Sequence, residues 1–310
     1  MIRASLALIL VATITCGCAS VGGARPVSPT VASYADRPRD MPVRHADGSL
    51  ASWSEMVAAC AGADAVLVGE SHGHPLGLPA AAALWEDVLA AAPKSALALE
   101  FWERDEQVDL EDAAAGIENP EVKRKRGDPG KSLDASYPPG HEQMVQAAHK
   151  AKRPVVAANA PRRYVRLART EGFDRLRALS PTQAATFRIP DRLIEGRYRE
   201  DFGKVMAGEK GEQPSESGGR EFDAMFRSQQ VWDWTMAESV ARALDAGAAP
   251  TLLVVGRFHV EHTGGLTQAL KSIRPATRCV TVAFIDEEPP ATFPDAHKGR
   301  ADFILYTGAR

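Results

Sequence analysis

The chain has little cysteine, few aromatic residues, almost no excess of either charge and no apolar run long enough to cross a bilayer as a permanent helix. Four cysteines among 310 residues cannot build the dense disulfide framework on which small secreted scaffolds depend, so the fold must rest on a buried apolar core. With 37 Lys and Arg against 40 Asp and Glu the formal net charge is −3. That near-balance supplies no global drive toward nucleic acid, whose binders carry a concentrated basic excess. What is present, 45% hydrophobic, 25% charged and 6% aromatic residues, is the composition of a globular chain with material for one large domain or two small ones.

The first residues read as an address. Met1-Ile2-Arg3 is followed by an apolar stretch from Leu6 to Ile14 and then by Thr15-Cys16-Gly17-Cys18, the order of charge, apolar run and small residues found in export signals. Gly17 before Cys18 resembles the lipobox of bacterial lipoproteins, although Thr15 stands where that motif prefers Leu. Residues 1–17 are therefore expected to be a leader and Cys18 the lipidated residue. Acyl chains there would anchor the protein without a spanning helix. Ala19, where inner-membrane retention favours Asp, points to the outer membrane facing the periplasm; a secreted or periplasmic protein is the alternative. Residues 18–52, rich in Gly, Pro, Ser and Arg without period, are expected to be a flexible tether. Cys60 and Cys279, one in a helical and one in a strand pattern, read as two buried small hydrophobes.

From residue 53 to 310 the pattern is that of an α/β domain. Short apolar runs at Ala65–Val68, Ala96–Leu99, Pro154–Ala157, Leu252–Val255 and Cys279–Phe284 fit strands buried on both faces of a mostly parallel, open sheet flanked by helices. Phe303–Tyr306 would add an edge strand. Pro79–Ala92 and His141–Lys152 read as crossover helices. The stretch from about 164 to 247 holds helical patterns and no strand, and is expected to be an inserted helical cap subdomain. Within it Ala207–Arg220 reads as a polar loop, as does Asn119–Gly140 earlier. Phe222, Phe226, Met225 and Val240 are expected to pack the cap onto the sheet, with Asp233 and Glu238 facing either a polar site or solvent.

In open α/β sheets ligands sit beyond the carboxyl ends of the strands. Those ends read Gly69-Glu70-Ser71-His72-Gly73-His74, Glu100-Phe101-Trp102-Glu103-Arg104, Asn159-Ala160-Pro161-Arg162-Arg163-Tyr164 and Gly256-Arg257-Phe258-His259. Four strands delivering carboxylate, imidazole, amide and guanidinium to one rim suggest a site. Three chemistries can be built from it. A nucleophilic Ser71 with His259 as base matches G-x-S-x-G, but the elbow stands too early in the chain for an α/β-hydrolase. Glu70, His72, Glu100 and His259, with His74 beside His72, are of types that could hold a divalent metal that activates water; the competing reading is that a histidine in such a turn only bonds backbone. A third option is binding without turnover of a large anionic cofactor, its carboxylates met by Arg162 and Arg163.

The ordered motifs Val68-Gly69-Glu70-x-His72, Leu99-Glu100-x-x-x-Arg104-x-x-Gln107, Ala157-Ala158-Asn159-Ala160-Pro161-Arg162-Arg163-Tyr164, Gln230-x-Trp232-Asp233-x-x-Met236-Ala237-Glu238 and Gly256-x-x-His259 resemble the ChaN-like proteins of the haem-binding uptake and Tiki superfamily from about Val66 to Leu270. The resemblance implies a haem-binding lipoprotein of iron uptake. It also implies kinship with peptide or ester hydrolases that use paired G-x-x-H motifs and glutamates, here Gly69 with His72, Gly256 with His259, and Glu70 and Glu100 as the catalytic set. For the iron, Tyr164, Tyr198, Tyr137 and His141 are candidate ligands, each with an ordinary amphipathic side chain as the competing reading. The expected partners are haem, a membrane through the lipid anchor and a second copy of the chain as a homodimer; nucleic acid is not among them.

Overall fold

A computed structural model describes residues 28–117, 139–207 and 216–309. Eight strands are present among them: β1 (Val43–His45), β2 (Leu50–Ala51), β3 (Ala65–Glu70), β4 (Ala96–Glu103), β5 (Val155–Asn159), β6 (Thr251–Gly256), β7 (Cys279–Ile285) and β8 (Phe303–Tyr306). They form one sheet in the order β2-β1-β8-β7-β3-β6-β4-β5. The strands from β8 to β5 are parallel, and β1 joins antiparallel to both β8 and β2. The chain is thus α/β, with a mostly parallel open sheet.

The helices in chain order are α1 (Pro29–Tyr34), α2 (Trp53–Ala61), α3 (Gly77–Ala91), α4 (Gln107–Ala114), α5 (Pro139–Lys150), α6 (Arg162–Glu171), α7 (Phe173–Arg177), α8 (Pro181–Ala184), α9 (Arg197–Ala207), α10 (Glu216–Asp245) and α11 (Gly265–Ile273). Between β5 and β6 the described chain is helical throughout its regular elements, α6 to α10. The start of α2 shows how local chemistry sets a boundary. Ser52 accepts from Glu55 N–H while the Glu55 carboxylate returns to the Ser52 N–H, satisfying two otherwise orphaned donors.

The unbroken apolar strands follow from burial on both faces, since successive side chains point to opposite sides. Val66 and Val68, with Leu97 and Leu99, pack with Leu84 and Trp85 of α3, Met144 of α5 and Met56 of α2. Ala65, Leu67, Leu253 and Val255 pack on the other side with Trp234, Met236 and Val240 of α10 and Leu266 and Leu270 of α11. Each fully buried aliphatic side chain contributes about 1.5–3 kcal/mol. After β3 the chain turns to the first layer through α3, and after β6 to the second through α11. Because β3 and β6 are neighbours, their carboxyl ends part at a topological switch point, where such sheets open a crevice.

Three expectations need correction. Residues 28–52 are not all tether: α1, β1 and β2 lie there, and Val31, Met41 and Val43 are buried in the first core layer. Strand β8 is not at an edge but between β7 and β1, because the stretch at residues 43–51 supplies its outer partners. The expected loop at Ala207–Arg220 is shorter, with Ala207 closing α9 and Glu216–Arg220 already in α10. Most of the other expected loop, the leader, Cys18 and Tyr137 lie outside the described residues. Cys60 and Cys279 are both free thiols, and burial pushes each up to about 12.

Candidate functional site

The rim at the switch point is assembled by backbone irregularity. Strand β4 pairs with β6 only as far as Leu99↔Val254, and its register against β5 shifts between Leu99 and Glu103. The irregularity begins at Glu100, whose carboxylate accepts the Gly256 N–H at 2.7 Å and so replaces the next ladder bond of β6. The two G-x-x-H segments interlock around it. A Cβ on Gly69 would stand 2.8 Å from Cα of Arg257, in the turn after β6. A Cβ on Gly256 would stand 3.1 Å from His72 Nε2, in the turn after β3. Each glycine clears space for the other segment.

A continuous chain of acids and imidazoles results. Glu70, 1% exposed, meets His72 Nδ1 at 2.5 Å. His72 Nε2 faces Glu100 Oε2 at 3.6 Å, and Glu100 Oε1 faces His259 Nε2 at 3.6 Å. His259 Nδ1 pairs with Asp233 Oδ1 at 2.6 Å, and the Tyr198 hydroxyl donates to Asp233 Oδ2 at 2.6 Å. The Gln229 amide lies 3.2 Å from His259 Nε2. Asp233 and Gln229 reach the site from α10, which crosses behind the sheet.

Electrostatics follow from this alternation. Burial opposes a charge on His259, but Asp233 and then Glu100 outweigh it and raise the imidazole to about 10. Burial also opposes the Glu100 charge, yet His259, His72 and the Gly256 N–H hold that carboxyl down at about 2. His72 is raised too: burial lowers it, and the hydrogen bond to Glu70 and the nearby charges of Glu100 and Glu70 overcome that. Near neutral pH His259 is therefore an imidazolium facing the Glu100 carboxylate. Such paired arrangements are tolerable in a low-dielectric interior only because every charge has a partner.

The chain opens into a cleft of about 550 Å³. One wall is apolar, from Phe202, Val205 and Met206 of α9 with Phe258; the other carries Ser71, His72 and Arg257 with Asp286. The His72 side chain is 44% exposed, whereas the His259 side chain is 8% exposed, so His72 is the imidazole a ligand meets first.

Residues 56–270 match the family described as haem-binding uptake, Tiki superfamily, ChaN, a span of more than half the chain. The chain belongs to that family. No curated protein matches it. Among solved structures it is similar to one described as cofacial heme binding to ChaN of Campylobacter jejuni, with a TM-score of 0.60, 17% identity, and coverage of 86% of this chain and 96% of that one. An erythromycin esterase, EreC, in its open conformation aligns with a TM-score of 0.45, 13% identity, and coverage of 86% and 82% respectively.

Of the residues singled out in this ChaN-family sequence, Glu70, His72, Glu100 and His259 come together. They face one another as hydrogen-bonding and ionic partners, and among the described residues no group of three or more His, Cys, Asp or Glu is arranged to hold a metal ion. The divalent-metal reading therefore finds no support in this geometry. Ser71 Oγ makes no hydrogen bond, and His259 Nε2, the nitrogen a serine would need, faces Glu100 and Gln229 instead, so the serine-nucleophile pairing is not formed. His74 is a backbone clamp: its Nδ1 accepts from Leu76 and Gly77 N–H, and its Nε2 bonds the Gly308 carbonyl at 2.9 Å.

The candidate haem contacts among the described residues lie elsewhere than the cleft lining. Arg163 pairs with Asp105 at 2.6 Å and sits 4.6 Å over the Tyr164 ring. The Arg162 backbone donates to Glu103 at 3.1 Å, and its guanidinium is also turned to that carboxylate. Tyr164 is buried against Phe187, and Tyr198 is buried beneath the cleft wall. His141 is fully buried, its ring 4.3 Å from Phe101, which in turn contacts His72. Sequence reasoning did not assign Gln229, or the apolar wall formed by Phe202, Val205, Met206 and Phe258. Asp233, which the sequence allows to face either the site or solvent, takes the site side against His259, and the Gln230-x-Trp232-Asp233 motif is its signal.

Proposed function

We propose that this protein binds haem as cargo in the cleft above His72, and that it does so as a lipid-anchored protein facing the periplasm in iron uptake. The observation that carries the reading is an exposed imidazole, oriented through Nδ1 by a buried carboxylate, at the mouth of a cleft with an aromatic wall. A carboxylate behind a ligating histidine fixes the ring and raises its basicity. Phe202, Phe258, Val205 and Met206 would cover a flat apolar macrocycle, and Arg257 lies at the polar margin. Family membership and the haem named for the Campylobacter protein support the same reading.

Titration of purified protein with hemin should produce a shifted Soret band at a defined stoichiometry; an unchanged spectrum with excess hemin overturns the proposal. A His72→Ala variant should lose the shift. If uptake survives there and is lost in Tyr137→Phe, the iron ligand is the tyrosine. The anchor is tested separately: Cys18→Ser should move the protein from the membrane to the soluble fraction of the expressing cell.

A second reading is favoured by one specific feature, the buried His259 imidazolium between Asp233 and Glu100, which holding cargo does not require. In this reading the cleft would hydrolyse an ester or peptide: His72 would take a proton from the attacking water and return it to the leaving group, and His259 would stabilise the developing negative charge. Turnover found by screening esters and peptides, and lost in His259→Ala while hemin uptake persists, would establish it; no turnover on any substrate would remove it.

A further inference from the structure

Four residues of α9 fall on one face at helical spacing: Tyr198, Phe202, Val205 and Met206. The last three line the cleft. Tyr198 does not. It is 4% exposed, its ring stacked on Phe258 at 4.8 Å and set against Phe226 at 5.7 Å. Its hydroxyl reaches past them to Asp233 Oδ2 at 2.6 Å, while Asp233 Oδ1 holds His259 Nδ1 at the same distance. One carboxylate thus divides its two oxygens between the helix that walls the cleft and the imidazole that ends the buried chain. Gln229 flanks both the Tyr198 hydroxyl and the His259 ring.

Room for this bond comes from a residue outside the motifs. Gly265 opens α11, and a Cβ there would overlap Asp233 Oδ2 and stand 2.6 Å from the Tyr198 ring. Other polar links of α9 to α10 are weaker: the Arg199–Asp223 pair is solvent-exposed, and such pairs contribute little. A buried hydrogen bond to a charged acceptor is among the stronger single contacts.

We propose that Tyr198 is the positioning residue that fastens the cleft wall α9 to the buried carboxylate–imidazole chain, with Gly265 supplying the space for that fastening. The role rests on reading the cleft as the ligand site; the fastening itself does not. It means that the wall and the acid chain move as one unit, so that the shape offered to a flat apolar ligand is set from beneath by Asp233.

Tyr198→Phe keeps the stacked ring and removes only the hydroxyl. In the ligand-free protein, backbone amide exchange over residues 197–206 should accelerate about tenfold or more, with β3 and β6 unchanged. The His259 imidazole, followed by NMR, should titrate at higher pH than in the wild type, because Asp233 no longer shares its charge with a second donor. Merely structural packing would not move that titration. Hemin should bind about tenfold more weakly with an unchanged bound spectrum. Gly265→Ala, which displaces the ring instead of trimming it, should give the same acceleration. Wild-type exchange over 197–206 together with a wild-type His259 titration in Tyr198→Phe would overturn the proposal. If the wild type itself takes up no hemin while both ligand-free readouts shift, the haem reading fails and the fastening stands.

Discussion

His259 ties native stability to pH with a sign that can be worked out. Its folded value of about 10 lies above the ordinary 6.5, so its contribution is complete below the lower value and is lost as pH rises toward the higher. Glu100 runs the other way. Its folded value of about 2 lies below 4.5, so its contribution is present above 4.5 and disappears as the pH falls toward 2. The two together stabilise most between 4.5 and 6.5. The urea midpoint of the wild type should therefore fall between about pH 6 and about pH 9 more steeply than that of His259→Gln. Parallel profiles for the two proteins would show that His259 is not charged in the native state. The participation of Glu70, Glu100, His72 and His259 was readable because each stands at or within a few residues of the end of a buried apolar run. Gln229 was not, and Tyr198 was legible only as a candidate iron ligand and not as the partner of Asp233, because a polar residue on an amphipathic helix looks the same whether it meets water or a buried partner.

Two residues in the motif after β4 secure elements rather than chemistry. Arg104 reaches from the end of β4 to α10, donating to Ser239 Oγ at 2.8 Å, Glu238 at 2.7 Å and the Thr235 carbonyl at 2.7 Å. Gln107, the first residue of α4, lays its amide along β5, an edge strand of the sheet. It donates to Val155 O at 3.0 Å and accepts from Ala157 N at 2.8 Å, as a neighbouring strand would. Open strand edges invite pairing with other chains, and this side chain closes one. Gln107→Ala should cost about 1–2 kcal/mol, read as a melting point lower by several degrees, and should increase aggregation on heating. A wild-type melt in that variant would mean that the edge is covered by other means. The strands were legible from their unbroken apolar runs, since burial on both faces leaves no other composition. The cleft wall was not, because α9 acquires its meaning only from where α10 and the turn after β6 place Phe226 and Phe258 against it.

The whole sheet depends on the stretch at residues 28–51, which reads as tether because strands of two and three residues are too short to show a period. Its pairing with β8 spans nearly the whole chain, and Ser28 and Thr30 both donate to Glu288, beside the Gly308 carbonyl that His74 holds. Removing residues 1–27 should leave the melting temperature unchanged. Removing residues 1–51 should lower it by ten degrees or more or abolish soluble expression, since Met41 and Val43 leave the core and β8 becomes an edge. Equal melts for the two truncations would show the segment to be dispensable. The mutual clearance of Gly69 and Gly256 has a consequence at the same scale. A side chain at position 69 would meet the backbone of Arg257, and one at position 256 would press only on the movable His72 ring, so a change at 69 should demand a reshaped turn at 257 whereas a change at 256 should displace the imidazole first.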